Sequence, residues 1–194
     1  MTEFEIIQKA FPVEIREEVN SLLTKFTIET KHSTQGFETV VIGEEKFEIP
    51  YRIYYNPPYS LVNSKFTQKE QEILNCIFSR NENGYIRQKA IQNIIASSNN
   101  WTLPYIVRVI GEYVIEILND INNNFETINK SNLISFVQQN PKLYNQTRSR
   151  ISSYWDCYFR RQFPEMLKGI RVPEEQRYVG FQLLSKIDKL INDK

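Results

Sequence analysis

The residues whose types and spacing could do chemistry form one polar line in the apolar segment PYIVRVIGEYVIEIL, residues 104–118. If this segment is a single central helix, it is apolar on all sides except at Arg108, Glu112 and Glu116. The three residues follow one another at four-residue steps, so their side chains are neighbours on the helix surface. We therefore expect Arg108 to pair with Glu112 and the two carboxylates to face one opening.

Two interpretations of this polar line stay open. Paired carboxylates in a cleft can bind a metal ion or act as general acid and base. Alternatively, the line is the one hydrated edge of an otherwise buried helix, which we favour because the sequence identifies no further metal ligands. Gly111 destabilises a helix by about 1 kcal/mol relative to alanine, so its presence predicts that another part of the chain packs closely against that turn.

A second candidate is the segment TRSRISSYWDCYFRR, residues 147–161, which mixes arginines with aromatic residues. Such a mixture can contact phosphates and stacked bases. On a helix Arg148 and Arg150 project almost oppositely, and only Arg150 and Arg161 share a direction, so no single basic stripe forms. The competing interpretation places the aromatic residues in the core and pairs the arginines with the acidic N-terminal segment. The candidate contacts to a partner or a nucleic acid are Arg148, Arg150, Trp155, Arg160 and Arg161.

Familiar catalytic chemistry has little support elsewhere in the sequence. His32 is the single histidine and lies between a predicted helix and a predicted hairpin, so we interpret it as a solvated linker residue. Cys76 and Cys157 fit no zinc pattern and have apolar neighbours, which predicts two buried thiols. The glycines form neither a dinucleotide-binding nor a phosphate-loop motif. We therefore assign no catalytic residue, no metal site and no cofactor.

The elements that position these residues begin with a helix and a β-hairpin. Apolar residues on one face predict a helix from about 13 to 26. Residues 36–55 then alternate with period two, which places the odd-numbered residues from Phe47 to Tyr55 on one face of a strand, and the hairpin turns at residues 43–45. Because Pro50 has no amide hydrogen, we expect the second strand to be an edge or to carry a bulge there.

Everything after the hairpin is predicted to be helical. Thr67 and Glu70 have the spacing of a capping box, and Pro104 and Pro141 each occupy a favoured position in the first turn of a later helix. The predicted fold class is α+β and predominantly α-helical, with an N-terminal helix and β-hairpin packed on a multi-helix body. We expect a single domain over 1–194, with a helix and hairpin portion at 1–58 and a helical portion at 59–194.

Composition and charge limit the class of protein further. The formal net charge is +1, with ten acidic and five basic residues in 1–50 and thirteen acidic and nineteen basic residues after them. An excess of +6 over residues 51–194 is too dilute for a nucleic-acid footprint and fits mutual attraction between these residues and the acidic segment 1–50. Two thiols, with no stretch that resembles a signal peptide or a membrane span, lead us to expect a cytoplasmic protein without a membrane partner.

Three functions are compatible with these features. The first, which we adopt as the working hypothesis, is a non-enzymatic protein–protein interaction module that acts as an adaptor, regulator or inhibitor of another protein. The alternative is a nucleic-acid-binding protein that uses the segment 147–161. The third is an enzyme of unfamiliar type that uses Glu112 and Glu116. Nothing in the sequence points to a particular oligomeric state.

Overall fold

The computed structural model describes residues 3–25, 30–32, 36–55, 66–164 and 172–193. Its helices are α1 (Glu3–Lys9), α2 (Arg16–Thr24), α3 (Gln68–Phe78), α4 (Gly84–Ile94), α5 (Leu103–Ile110), α6 (Ile115–Asn123), α7 (Lys130–Gln139), α8 (Pro141–Tyr154) and α9 (Val179–Asn192). Its strands are β1 (Thr30–His32), β2 (Phe37–Ile42), β3 (Glu45–Pro50) and β4 (Tyr54–Tyr55). A π-helical turn, Trp155–Phe159, continues α8. The predicted fold class, α+β with a predominance of helix, is confirmed.

The predicted hairpin is formed by β2 and β3, which pair antiparallel with Val40 opposite Phe47. Gly43 lies at the turn with a φ of +62°, a left-handed conformation that glycine adopts without steric strain. Val40, Phe47 and Ile49 are buried, while α1 contacts β3 and α7 contacts β2. One face of the hairpin therefore packs on the helices, as the period-two pattern predicts.

The second hairpin strand ends at Pro50, so the prediction of one strand running to Tyr55 is wrong. Proline lacks the amide hydrogen that would continue the ladder. Beyond the proline, Ile53 forms a parallel bridge with Asn81, and its amide donates to the Arg80 carbonyl oxygen at 2.8 Å. Tyr54–Tyr55 then pair with β1 as a separate two-stranded sheet. The chain thereby crosses from the hairpin to the loop between α3 and α4.

The outer edge of β2 is covered by a side-chain amide. The Val41 amide donates to Oδ1 of Asn140 at 2.7 Å, and Nδ2 of Asn140 donates to the Val41 carbonyl oxygen, also at 2.7 Å. Asn140 thus binds the backbone amide and the carbonyl oxygen of Val41, which a neighbouring strand would otherwise bind. This side chain joins the hairpin to the junction of α7 and α8.

Several helix boundaries follow the predicted local chemistry. The capping box is confirmed, since the Glu70 amide donates to Thr67 Oγ1 at 3.2 Å and the Thr67 amide donates to the Glu70 carboxylate at 2.8 Å. Pro104 and Pro141 lie in the first turns of α5 and α8 as expected. The helix predicted at 13–26 is a 3-10 turn followed by α2, which ends at Thr24, and residue 26 lies outside the described residues.

The predicted central helix at 104–118 is wrong as a single element. α5 ends at Ile110, Gly111 begins a turn, and α6 starts at Ile115. A Cβ atom at Gly111 would lie 3.3 Å from Cα of Thr147, so the backbone of α8 packs against the break. The close approach that Gly111 predicts is therefore confirmed, but it accompanies the end of a helix.

The core is centred on α5, all eight residues of which are buried. It contacts α6, α7 and α8, while α9 packs on α6 and α7. No helix within the described ranges combines the length and apolar character needed to cross a membrane. The short fully buried helix places its C-terminal turn, and Glu112 after it, inside the protein.

Candidate functional site

Glu112 is the centre of a buried ion network. Its Oε1 lies 2.8 Å from Nη1 of Arg52 and 3.0 Å from Nη2 of Arg80, and its Oε2 lies 2.8 Å from Nε of Arg87. The side chains of Glu112, Arg80 and Arg87 are almost fully buried, and that of Arg52 is partly buried. Both carboxylate oxygens therefore face guanidinium groups from three other parts of the chain.

The network keeps Glu112 ionised. Burial by itself would raise the pKa of this carboxyl, because it disfavours the charged form. The nearby guanidinium groups of Arg80, Arg52 and Arg87 outweigh burial and hold the pKa below its usual range. A carboxylate that is enclosed by cations and resists protonation is poorly suited to be a general acid or base, or to bind a metal ion.

Arg108 makes its ion pair with the hairpin, so the predicted pair with Glu112 is wrong. Nε of Arg108 lies 3.6 Å from Oε2 of Glu38, and Nη1 of Arg150 lies 3.8 Å from the same oxygen. The Tyr51 ring contacts both guanidinium groups, with its centroid 4.8 Å from Cζ of Arg108 and 5.5 Å from Cζ of Arg150. Glu38 and Tyr51 thus fasten the hairpin to α5 and α8.

Glu116 lies apart from Glu112, and the expected opening shared by the two carboxylates is absent from the described structure. The break at Gly111 removes the four-residue helical step that would align them. Glu116 is exposed in the first turn of α6, whereas Glu112 is buried. Among the described residues, no group of three or more histidine, cysteine, aspartate or glutamate side chains could hold a metal ion.

Glu116 lines a surface pocket of about 470 Å³, which we call the tyrosine pocket. One wall comes from the start of α4 and the other from the turn between α5 and α6, with Phe159 contributed by the π-helical turn. Tyr85 and Tyr113 are 84% and 52% exposed. The pocket is lined by Asn83, Gly84, Tyr85, Gln88, Tyr113, Val114, Ile115, Glu116 and Phe159.

The buried network connects the two walls of the tyrosine pocket. Arg87 lies in the first turn of α4, two residues after Tyr85, and binds Glu112, which immediately precedes Tyr113. Nη1 of the same arginine donates to the carbonyl oxygens of Asn81 at 3.0 Å and Glu82 at 2.9 Å. One guanidinium group therefore holds the loop before α4 and the turn after α5 in a fixed relation.

Neighbouring aromatic rings order the rest of the pocket. Phe159 stacks on Tyr178, with centroids 4.9 Å apart and an interplanar angle of 20°. The Tyr113 ring meets Tyr154 edge-on at 5.8 Å and contacts Tyr158 at 6.1 Å. Tyr158 is 65% exposed and extends the aromatic surface beyond the pocket rim. Such contacts restrict the motion of the Tyr113 and Phe159 rings.

The arginines of the segment 147–161 are mostly paired within the chain. Arg148 pairs with Asp188 of α9, Arg150 approaches Glu38 as described above, and Arg160 pairs with Asp156 at 2.8 Å. The Arg150 contact agrees with the expected pairing to the N-terminal segment, whereas the other two use partners from elsewhere. Arg161 is exposed.

The aromatic residues of this segment divide between core and surface. Trp155 is buried, and its Nε1 donates to the Phe163 carbonyl oxygen at 2.7 Å, so its ring is not presented for stacking on a base. Tyr158 is exposed, which contradicts the interpretation that gives all these aromatic residues to the core. The structure thus does not bring the five candidate contacts together on one accessible face.

The cysteine and histidine predictions are borne out only in part. Cys76 is buried, and burial raises the pKa of its thiol well above the usual value. Cys157 is exposed, so its predicted burial is wrong. It lies in the π-helical turn, where the Arg160 amide donates to the Trp155 carbonyl oxygen five residues earlier. The side chains of such a turn point in directions that differ from those in an α-helix. The backbone of His32 belongs to β1 and not to a linker, and its side chain lies outside the described part.

Sequence reasoning missed the buried arginines, although one of them carries a signal. Arg87 shares a helical face with Ala90, Ile91 and Ile94, all of which are buried. An arginine within such an apolar stripe indicates a buried guanidinium group that requires an acidic partner. No comparable local pattern identifies Arg80, which follows the end of α3.

Comparison of the chain with protein-family models, with curated proteins and with solved structures gives no match in any of the three.

Proposed function

We propose that this chain is a non-enzymatic protein–protein interaction module that binds its partner at the tyrosine pocket. The observation that carries the proposal is the concentration of exposed aromatic side chains at one place. Of the five large apolar or aromatic side chains that are well exposed in the described part of the chain, Tyr85 and Tyr113 line this pocket, and Tyr158 contacts Tyr113 just beyond its rim. The other two, Phe4 and Val13, belong to the N-terminal segment.

Clustered tyrosines suit protein recognition for physical reasons. A tyrosine ring offers a large apolar area together with a polar hydroxyl group, and it loses little conformational freedom when it is covered. Interfaces are enriched in aromatic residues, and a few of them in a pocket contribute most of the binding energy. Two exposed rings in a concave site, with a third beside it, therefore have the composition of an interface centre.

Rigidity of the pocket supports the same proposal. The Arg87–Glu112 pair fixes the two walls, and Phe159 is stacked on Tyr178. Ordering a flexible surface on binding reduces affinity, so a surface that is already ordered binds more tightly for the same contacts. A volume of about 470 Å³ is within the usual range for concave binding sites. We therefore expect the pocket to receive an anchor side chain of the partner.

Selection from a random-peptide library displayed on phage tests this function, because the library samples many sequences and no partner has to be identified first. The wild-type chain and the variants Tyr113→Ala, Tyr85→Ala and Phe4→Ala serve as baits, with Phe4→Ala as the matched exposed-aromatic control. We expect peptides selected on the wild type to bind Phe4→Ala equally well and each tyrosine variant about thirtyfold less tightly, as for a hot-spot residue.

The proposed function is contradicted if no peptide is enriched, or if the selected peptides bind the tyrosine variants and Phe4→Ala equally. Thermal unfolding of each variant, compared with the wild type, separates loss of binding from loss of the fold. Because Tyr85 is mostly exposed, we expect its replacement to leave the unfolding temperature nearly unchanged.

Nucleic-acid binding is a second candidate function, and one observation favours it. A groove of about 640 Å³ on α8 is lined by Lys142, Asn145, Gln146, Ser149 and Arg150, which include two cations and no carboxylate. Such groups contact phosphates. Of the arginines predicted from the sequence, only Arg150 lines this groove, and it is already close to Glu38.

A salt titration of binding to mixed oligonucleotides tests this second candidate. If the groove binds phosphates, affinity falls steeply as salt rises, and Lys142→Gln reduces both the affinity and the salt dependence. No binding even at low salt eliminates nucleic acid as a partner.

A further inference from the structure

We infer that the tyrosine pocket receives a lysine or arginine side chain from a basic segment of the partner protein, an inference that rests on the function proposed above. Glu116 is the single residue with a formal charge among the nine described residues that line the pocket. Its exposed carboxylate forms no ion pair with any residue in the described part of the chain. The pocket therefore presents one carboxylate without an ion-pair partner to its occupant.

Three other acidic groups close to the pocket in sequence are already engaged. Glu112 is enclosed by guanidinium groups, and Asp120, one turn after Glu116 on α6, accepts hydrogen bonds from Gln88 at 2.7 Å and Gln92 at 2.9 Å. Asp156 pairs with Arg160 beside the π-helical turn. Glu116 differs from these groups because its exposed carboxylate has no ion-pair partner among the described residues and is available to a ligand.

The aromatic lining favours the same class of occupant. Rings of Tyr85, Tyr113 and Phe159 line the pocket together with Glu116. The face of an aromatic ring attracts cations, and the long stem of lysine or arginine packs against apolar surface while its charged end reaches a carboxylate. The chain already uses such contacts internally, with Nζ of Lys130 lying 4.1 Å from the centroid of the Phe125 ring.

Charge also selects against the opposite class of ligand. Phosphate groups and acidic side chains would be repelled by Glu116, and Arg87, which lies between the lining residues Tyr85 and Gln88 in the sequence, is buried and bound to Glu112. The pocket thus combines attraction for a cation with repulsion of an anion, which gives specificity from a single carboxylate. A basic segment of a partner protein satisfies both requirements.

The inference is tested with peptides selected on the wild-type chain. We expect them to be enriched in lysine or arginine next to an apolar residue. Replacing that basic residue by glutamine should weaken binding about fivefold, which corresponds to a largely solvated ion pair. Glu116→Gln should weaken binding of the original peptide by the same factor. It should hardly change binding of the peptide that carries glutamine, so the effects of the two replacements are coupled. The matched control is Glu126→Gln, since Glu126 is an exposed glutamate on the turn after α6.

Reversing the charge on both sides of the contact is the decisive experiment. The Glu116→Lys variant should no longer bind the original peptide and should bind a peptide in which the basic residue is replaced by glutamate. Enrichment of acidic peptides, or equal affinities for Glu116→Gln and Glu126→Gln, overturns the cation inference. If the tyrosine variants still lose binding in that case, the interaction function stands without it. If Tyr113→Ala binds like the wild type, the proposed function itself fails.

Discussion

Nε of Arg87 lies 2.8 Å from Oε2 of Glu112, and both side chains are almost completely buried. Arg87 and Tyr85 both lie in the first turn of α4. Glu112 precedes Tyr113 in the turn between α5 and α6. A contact in the interior therefore connects the two walls of a pocket on the surface. Stability of the core and shape of the pocket are linked through this pair.

Replacing Glu112 by glutamine should destabilise the protein strongly. The change leaves the guanidinium groups of Arg80 and Arg87 buried without a compensating charge, and breaking a buried ion pair in this way costs about 3–5 kcal/mol. Urea denaturation measures the loss. The control is Glu116→Gln, which removes an exposed carboxylate nearby and should leave the free energy of unfolding unchanged. Equal stabilities of the two variants would contradict the network described for Glu112.

The contribution of Glu112 to stability should disappear in acid. The folded-state pKa of its carboxyl is lowered because the surrounding guanidinium groups outweigh the opposing effect of burial. A lowered pKa means that the stabilisation is fully present above the ordinary glutamate pKa of about 4.3 and is lost as the pH falls through the folded-state value.

The measurement compares the free energy of unfolding of the wild type and of Glu112→Gln from neutral to acidic pH. Other carboxyl groups with lowered pKa, such as those of Glu18 and Glu70, are common to both proteins and affect both curves alike. We expect the difference between the curves to be constant near neutrality and to narrow in acid. A difference that stays constant throughout would show that the charge of Glu112 is not the cause.

The two thiols should react at very different rates. Cys157 is exposed on the π-helical turn, whereas Cys76 is fully buried in α3 and burial raises the pKa of its thiol. With an aromatic disulfide reagent, we expect one thiol per chain to react at once and the second only after denaturation. Cys157→Ser should remove the fast phase and Cys76→Ser the slow one. Two fast thiols in the native protein would contradict the packing of α3.

Asn140 should be needed to hold the edge of the hairpin. Asn140→Ala removes both hydrogen bonds to Val41 and leaves buried or partly buried backbone groups without partners, which costs about 1–3 kcal/mol. The neighbouring contact, from the Gly43 amide to Gln139 Oε1, is exposed, so Gln139→Ala is the matched control and should have a small effect. Chemical denaturation distinguishes the two. If Asn140→Ala is as stable as Gln139→Ala, Asn140 is not needed to hold the edge of the hairpin.

Local chemistry made much of the fold predictable. The turn at Gly43, the capping box at Thr67 and Glu70, and the first-turn positions of Pro104 and Pro141 all depend on neighbouring residues, and the structure agrees with each. Alternation in the hairpin identified its buried face for the same reason. Patterns of this kind do not depend on distant parts of the chain.

The candidate site was less predictable because it depends on contacts between distant residues. The apolar period continues through Gly111, yet the helix ends there and α8 packs against the turn. Because the helix ends, Glu112 and Glu116 lie apart, although their four-residue spacing predicts that they are neighbours on one helix. Arg52 and Arg80 reach Glu112 from other elements, and no spacing within one segment reveals such a meeting. The residues of the polar line were correctly singled out, but their arrangement was not.

Mapping a bound peptide by nuclear magnetic resonance tests the tyrosine pocket most directly as the docking site. The uniformly ¹⁵N-labelled chain is titrated with a peptide selected on the wild type, and the amide shifts are followed residue by residue. We predict that the largest shifts fall at residues 83–88 and 113–116, which form the two walls of the pocket. Shifts confined to residues 142–150, the groove on α8, would contradict docking at the tyrosine pocket and place the partner elsewhere.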